Sequence, residues 1–306
     1  MKELSILMPA RNEIFLGKTI ENILENIEGD TEIIAVLDAC WPDPPIQDNP
    51  RVILIHNTEP VGQRGATNQA ARLSQAKFVM KLDAHCAVDK GFDVKLMSDC
   101  EKDWTVIPRM YRFHVFDWEC TNCGERYYQA DPVDVCKCGK SDFGMSMVWK
   151  PRFEKGYTDF GRFDNTLHWQ YWRKYHRRPE AEGDIADVMS HVGACFFMHR
   201  DRYLELEGLD EKHGFWGQVG TEVSCKSWLS GGRQVVNKKT WFAHYFRVGK
   251  LKFPYPISGD QQDRAREYSR WLWLGNKWEK SKLPLKWLID KFSPVPDWEN
   301  YDWASV

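Results

Sequence analysis

Apolar positions along the first ninety residues follow two rhythms in turn. Residues 4–8 form a continuous apolar run, closed by Pro9-Ala10-Arg11-Asn12-Glu13. Ile20, Ile23, Leu24 and Ile27 then recur at three- and four-residue intervals, the spacing of one helix face. Continuous runs return at 33–37, ending on Asp38, at 52–55 and at 78–82, with 67–76 reading as a helix before the last of them. Strands that do not alternate apolar with polar residues are buried on both faces. Their alternation with helices predicts an α/β architecture, a mostly parallel central sheet whose ligand site lies beyond the strand C-termini. Arg11, Asp38, Asp83 and His85 all stand at such ends.

The second half is less regular. A strand is predicted at 192–199 and a helix at 221–229, completing the same domain by mixed pairing. Between them and the first half, 118–140 breaks the rhythm with Cys, Gly and polar residues and reads as an insertion into a domain spanning 1–278. From 279 to 306 the chain turns to proline and tryptophan (Pro284, Trp287, Pro294, Pro296, Trp298, Trp303), which predicts a tail wrapped on the surface.

Composition narrows the function classes. With 42% hydrophobic and 28% charged residues over 306 positions, the chain is globular rather than disordered. A net charge of −2 excludes overall electrostatic adhesion to nucleic acid and leaves only a local basic face. No apolar stretch approaches the roughly 18–20 residues of a membrane span, so none is expected. The N-terminus lacks the apolar run and cleavage site of a secretory signal, and a cytoplasmic location is predicted.

Four of the nine cysteines are clustered, as Cys120-x-x-Cys123-Gly and Cys136-x-Cys138-Gly. Such pairs present four thiolates to one tetrahedral ion over glycine turns, and a structural Zn²⁺ in a ribbon-like element is expected. The tight Cys-x-Cys half keeps disulfides or a regulatory thiol as the other reading. Arg109, Arg112, Arg126, Lys137 and Lys140 flank this element. A second basic cluster, Arg173, Lys174, Arg177 and Arg178, is interleaved with Trp169, Tyr171, Trp172 and Tyr175. It is either a grip for phosphates and bases or a solvated basic face over an aromatic core face.

Leu82-Asp83-Ala84-His85 sets a carboxylate and an imidazole two residues apart at the end of an apolar strand. On an extended strand they share one face and suit a divalent ion such as Mn²⁺ or Mg²⁺. Around this pair the chain resembles the family-2-like glycosyltransferases of GT-A fold, and most closely the catalytic domain of polypeptide N-acetylgalactosaminyltransferases. Ile6-Leu7-Met8-Pro9-Ala10-Arg11-Asn12-Glu13 is similar to that family's first strand and nucleotide loop, residues 32–38 to its second strand, and Lys81-Leu82-Asp83-Ala84-His85-Cys86 to its metal motif. Gly161-Arg162-Phe163-Asp164, Val192-Gly193-Ala194-Cys195, Phe215-Trp216-Gly217, the segment 222–228 and Ala243-His244-Tyr245-Phe246-Arg247 follow in the family's order.

The resemblance implies a GT-A, Rossmann-like fold and transfer of a sugar from a UDP-sugar to an acceptor hydroxyl of a saccharide, a protein or a modified DNA base. It implies that Asp83, His85 and His244 hold the metal ion. It also implies that Pro9, Arg11, Glu13, Asp38, Arg64, Asn68, Asp83 and Trp216 surround the nucleotide sugar. Where the family carries an acidic residue after Trp-Gly, this chain has Val219, so Glu222 is either the catalytic base or a structural residue at a helix start. Asp184, Asp187 and His191 are further candidates to approach the acceptor. Two other functions compete: a catalytically silent scaffold that binds nucleic acid or protein through its ribbon, and a nucleotidyltransferase, for which no glycine-rich triphosphate loop is found.

Overall fold

The computed structural model describes residues 2–131, 133–247, 251 and 253–305. The first half runs β1 (Leu4–Ala10), α1 (Leu16–Asn26), β2 (Thr31–Asp38), β3 (Val52–Asn57), α2 (Gly62–Leu73), β4 (Phe78–Leu82), β5 (Cys86–Val88), α3 (Phe92–Ser98) and β6 (Trp104–Cys120). Short strands β7 (Arg126–Tyr128), β8 (Phe143–Pro151), β9 (Tyr157–Thr158), β10 (Gly161–Phe163), β11 (Trp169–Tyr171) and β12 (Ile185–Asp187) follow. The chain closes with β13 (Cys195–His199), α4 (Arg200–Glu205), α5 (Val219–Leu229), β14 (Arg233–His244), α6 (Gly259–Ser269) and α7 (Leu285–Lys291).

The main sheet has the order β12-β14-β6-β13-β4-β1-β2-β3. The four strands β4, β1, β2 and β3 are mutually parallel, and β13 enters antiparallel between β4 and β6. This is the parallel half with mixed completion that the apolar runs predict. In β1, β2 and β4 the runs lack alternation because both faces are covered, whereas edge strand β3 leaves Ile53 and Leu54 exposed despite its apolar run. Leu7, Ile34, Val36, Val79, Phe196 and Met198 face one core. Their neighbours Ile6, Met8, Ile33, Ala35, Met80 and Phe197 face the other.

α1 lays Leu16, Thr19, Ile20 and Ile23 on the second core, as its spacing predicts. α5 is different: all eleven of its residues are buried, so the charges of Glu222 and Lys226 must be satisfied inside the protein.

Two predicted boundaries look different in three dimensions. The cysteine element is the tip of a long hairpin, because β6 runs straight into Cys120 and β8 returns against it from Phe143 to Pro151. Residues 279–305 bury Leu285, Leu288, Phe292, Val295 and Trp298 in the first core rather than lying on the surface alone. Among the described residues, no helix is long and apolar enough to cross a membrane.

Candidate active site

The C-terminal ends of β1, β2 and β4 open onto one cavity of about 520 Å³. Its floor carries Arg11, Glu13, Asp38, Asp83, His85 and His244. Its far wall is built by 215–221 together with His168, Trp169 and His191, and the 253–266 segment lies across it with Phe253, Tyr255 and Arg266.

Three ligand atoms converge on the floor. Asp83 and His85 leave the end of β4, and His244 ends β14, which pairs with β5 so that His244 lies opposite Cys86. His244 Nε2 stands 3.2 Å from Asp83 Oδ2 and 3.1 Å from His85 Nε2, and all three atoms lie within 4.8 Å of one another.

Two of the three ligands, His85 and Asp83, are held from behind. His85 Nδ1 is 2.9 Å from Glu13 Oε2, a bond that keeps the proton on Nδ1 and turns the Nε2 lone pair toward the cluster. Glu13 is itself engaged by Arg247. Burial alone raises the Glu13 carboxyl, but His85 and Arg247 outweigh it and hold it below the usual carboxylate range. Fully buried Lys81 pairs with Asp83 and donates to Gly193 O at 2.8 Å. Against the cost of burial, Lys81 and the two histidines keep Asp83 ionised. Burial pushes His244 down to about 4, so its ring is neutral and offers a lone pair. A carboxylate oxygen and two imidazole nitrogens converging on one point form a donor set that fits a divalent cation.

The remaining pocket residues are shaped by backbone demands. Asp38 accepts the N–H groups of Val61 (2.6 Å) and Gly62 (3.0 Å), which fixes the start of α2 at the cavity edge. Gln63 reaches Asp83 Oδ1 at 3.1 Å. On the far wall two chain segments touch: a Cβ on Gly220 would lie 1.8 Å from His191 O, and one on Gly193 would lie 2.7 Å from Gly220 N. Only glycine permits that approach. Trp216 lines the cavity and meets Phe253 edge to face at 5.7 Å.

Three expected site residues stand behind the wall instead. Arg64 is 1% exposed and donates to Glu222 Oε2 (3.1 Å), Gly214 O (3.3 Å) and Gly217 O (2.6 Å). Asn68 spends its amide on Leu209, Glu211 and Tyr203. Glu222 is fully buried, accepts the Asp210 N–H and pairs with Lys226 at 3.0 Å. Burial raises its carboxyl, yet Lys226, His213 and Arg64 bring it down to about 2. Of the two readings of Glu222, the geometry matches the structural one: with Arg64 it braces the 210–217 loop from inside. Asp187 is tied to Arg233 and Lys291 away from the cavity, whereas His191 is on its wall. Sequence reasoning missed Lys81, Gln63 and Arg247 as supports. A lysine in an otherwise apolar buried strand was the available signal for the first.

At the hairpin tip the four cysteine sulfurs also lie within 4.8 Å of one another. The nearest pairs join the two halves, Cys120 to Cys138 at 3.7 Å and Cys123 to Cys136 at 3.4 Å, far beyond the ~2.05 Å of a disulfide. The Cys138 backbone N–H and the Tyr127 hydroxyl bring the Cys136 thiol down to about 6. Gly124 and Gly139, directly after Cys123 and Cys138, take φ of 72° and 82° with open space around them. Four converging thiols suit a tetrahedral ion. Much of the flanking positive charge is neutralised: Arg109 pairs with Asp159, Arg126 with Glu119 and Lys137 with Glu125.

Comparison with known proteins agrees with this architecture. Residues 5–147 match the family model described as glycosyl transferase family 2. That match covers the region from β1 to the cysteine hairpin. It is 26% identical over 181 residues to "Probable N-acetylgalactosaminyltransferase 8" of Caenorhabditis elegans, covering 58% of this chain and 36% of that protein. It is 22% identical over 211 residues to "Putative polypeptide N-acetylgalactosaminyltransferase 13" of Drosophila melanogaster, covering 68% and 32%. The aligned parts thus span about a third of the length of these relatives. Among solved structures, GalNAc-T7 with UDP, GalNAc and Mn²⁺ superposes with a TM-score of 0.65 at 14% identity, over 95% of this chain and 56% of that one. S. aureus TarS superposes with a TM-score of 0.50 at 10% identity, over 91% and 41%. The chain has the GT-A fold, a large mixed sheet flanked by helices.

Proposed function

We propose that this chain is a divalent-metal-dependent glycosyltransferase that moves a sugar from a UDP-sugar to an acceptor hydroxyl. The observation that carries the proposal is the convergence of Asp83, His85 and His244 on the floor of the cavity, with Glu13 fixing the His85 tautomer behind it. The neighbour solved with UDP, GalNAc and Mn²⁺ supports the donor class and the metal. Bound by these three residues, Mn²⁺ or Mg²⁺ supplies electrostatic stabilisation to the negative charge of a departing diphosphate.

The chain's own residues do the rest. Glu13 and Lys81 hold the ligand side chains in place, while Asp38 fixes the loop into α2 at the edge where the nucleotide would lie. Pro9, Arg11 and Trp216 line the space left for the donor. The carboxylates lining the cavity among the described residues are Glu13, Asp38 and Asp83, each already engaged, and Glu222 is sealed behind the wall. In the proposed transfer the bond from the anomeric carbon to the diphosphate oxygen breaks and the acceptor oxygen bonds to that carbon. The acceptor proton passes to the departing diphosphate, since none of the carboxylates lining the cavity among the described residues is free to take it. The cysteine site is proposed to hold a structural Zn²⁺ that pins the hairpin tip, its four thiols leaving no coordination position open.

UDP release from a panel of UDP-sugars, with and without Mn²⁺, tests the proposal. Metal-dependent turnover of one donor, lost in His244→Ala, is expected. Absence of turnover with every UDP-sugar, together with no thermal stabilisation by UDP and Mn²⁺, would favour the silent scaffold, for which Val219 and the sequestered Glu222 speak.

A further inference from the structure

Outside the pocket, charge is distributed unevenly. Residues 143–178 hold eight lysines and arginines against three carboxylates, a net of +5 in a chain whose total is −2. Some of these cations are structural: Arg178 donates to the carbonyls of Phe292 and Pro294 and lies over Trp172 and Tyr175, both of which are core residues. Six others in and beside this stretch, Arg112, Lys150, Lys155, Arg173, Lys174 and Arg177, are exposed and make no ion pair among the described residues.

Exposed rings are interleaved with them. Phe153, Tyr157 and Tyr171 are 53%, 47% and 38% exposed. Phe153 and Tyr157 stand edge-on to Tyr111, the residue before Arg112, and Tyr157 reaches His176, next to Arg177. Tyr171 lies 4.5 Å from Trp169, a wall residue of the cavity, and its phenol feels the fields of Arg112 and Arg173. Through Tyr171 and Trp169 the basic and aromatic surface reaches the cavity wall.

We infer that this surface binds single-stranded nucleic acid and delivers a hydroxyl of the strand to the cavity as the acceptor. The inference rests on the transferase reading above and deepens it. Phosphates would pair with the unpartnered cations, and unpaired bases would stack on the exposed rings. A duplex keeps its base faces covered, whereas the unpaired bases of a single strand expose the faces that such stacking needs. The step balances as above: the strand's hydroxyl oxygen bonds to the anomeric carbon, the bond to the diphosphate breaks, and the hydroxyl proton leaves with UDP.

Fluorescence anisotropy tests this with labelled 20-mer single-stranded DNA, 20-mer single-stranded RNA, a duplex of the same length and heparin, a polyanion without bases. The two single strands are expected to bind at least about tenfold tighter than the duplex, and to weaken at least about tenfold between 50 and 200 mM salt. Sugar transfer to the RNA strand alone would assign a ribose 2′-hydroxyl as the acceptor, and transfer to both strands a terminal hydroxyl common to them. Tyr171→Ala is expected to cost about fivefold or more on the single strands and nothing on heparin. The triple variant R112E/R173E/K174E is expected to lose both, with thermal stability and UDP-sugar hydrolysis unchanged. Heparin bound as tightly as the strands and indifferent to Tyr171→Ala, or no salt-sensitive strand binding at all, would overturn the inference. UDP-sugar turnover without strand binding overturns it alone. Strand binding without turnover of any UDP-sugar overturns the transferase reading and the acceptor role with it.

Discussion

Asp83 has two tasks that must be separated in any mutational test. It offers an oxygen to the His85–His244 cluster, and it neutralises Lys81, which has no exposure at all. Asp83→Asn therefore also strands a buried ammonium, and His244→Ala is the cleaner probe of the metal site. Glu13→Gln isolates the layer behind the ligands: it weakens the bond that orients His85 while leaving the ligands in place. Mn²⁺ affinity, measured by electron paramagnetic resonance of the free ion, is expected to fall about 10–100-fold with the fold retained. An unchanged affinity would remove Glu13 from that role.

Glu222→Gln should behave otherwise. It leaves Arg64 and Lys226 buried beside a neutral amide, and a loss of roughly 3–5 kcal/mol in denaturant unfolding at neutral pH is expected. The Glu222 carboxyl is held low in the folded protein, so its stabilising share is present above the unfolded carboxylate range and is lost as pH falls toward about 2. The substitution should flatten that part of the acid limb. A stable Gln variant with abolished turnover would instead restore Glu222 as a base. Asp83 and His85 were legible because ligand-type residues two apart at a strand end share one face, whereas His244 entered only through the family resemblance. The resemblance put Arg64 and Asn68 at the nucleotide sugar and left Glu222 open between base and helix-start residue; the structure sets all three behind the cavity wall, because sequence order does not show which face of α2 or α5 meets the cavity.

Two elements carry the site: the ends of the parallel strands and the 190–222 wall. The strands were readable from their unbroken apolar runs. The wall was not, since it depends on Gly193 and Gly220 letting two loops touch, a long-range contact without local signature. The β6–β8 hairpin was half legible. Its cysteine spacing announced a metal knot, but nothing in the pattern showed that Cys120 continues a strand of 17 residues. Elemental analysis is expected to find one zinc per chain, lost in Cys123→Ser. Hydrogen exchange should then rise around 120–140 while UDP binding persists. Protection that does not change on zinc loss would contradict a structural role for the ion.

At the scale of the molecule, the C-terminal residues belong to the core rather than to an appendage. Leu285, Leu288, Phe292, Val295 and Trp298 pack with Trp228 of α5 and Trp172 in one cluster. Each buried side chain of this size contributes roughly 1.5–3 kcal/mol. Truncation after residue 278 is thus expected to abolish cooperative unfolding in calorimetry, and a truncated chain that keeps its melting temperature would show the segment to be dispensable. Proline and tryptophan content pointed to a wrapped tail, but the apolar spacing of 285, 288, 289 and 292, a helix face, held the information that it docks.

The central claim is that three side chains on the cavity floor hold a divalent ion through which a nucleoside diphosphate is bound. Calorimetric titration of UDP into the metal-free protein, with and without added Mn²⁺, tests it most directly. One UDP per chain bound only with Mn²⁺, and lost in His244→Ala at unchanged melting temperature, is the expected result. UDP binding that is equally tight without the ion, or that survives His244→Ala, would contradict it.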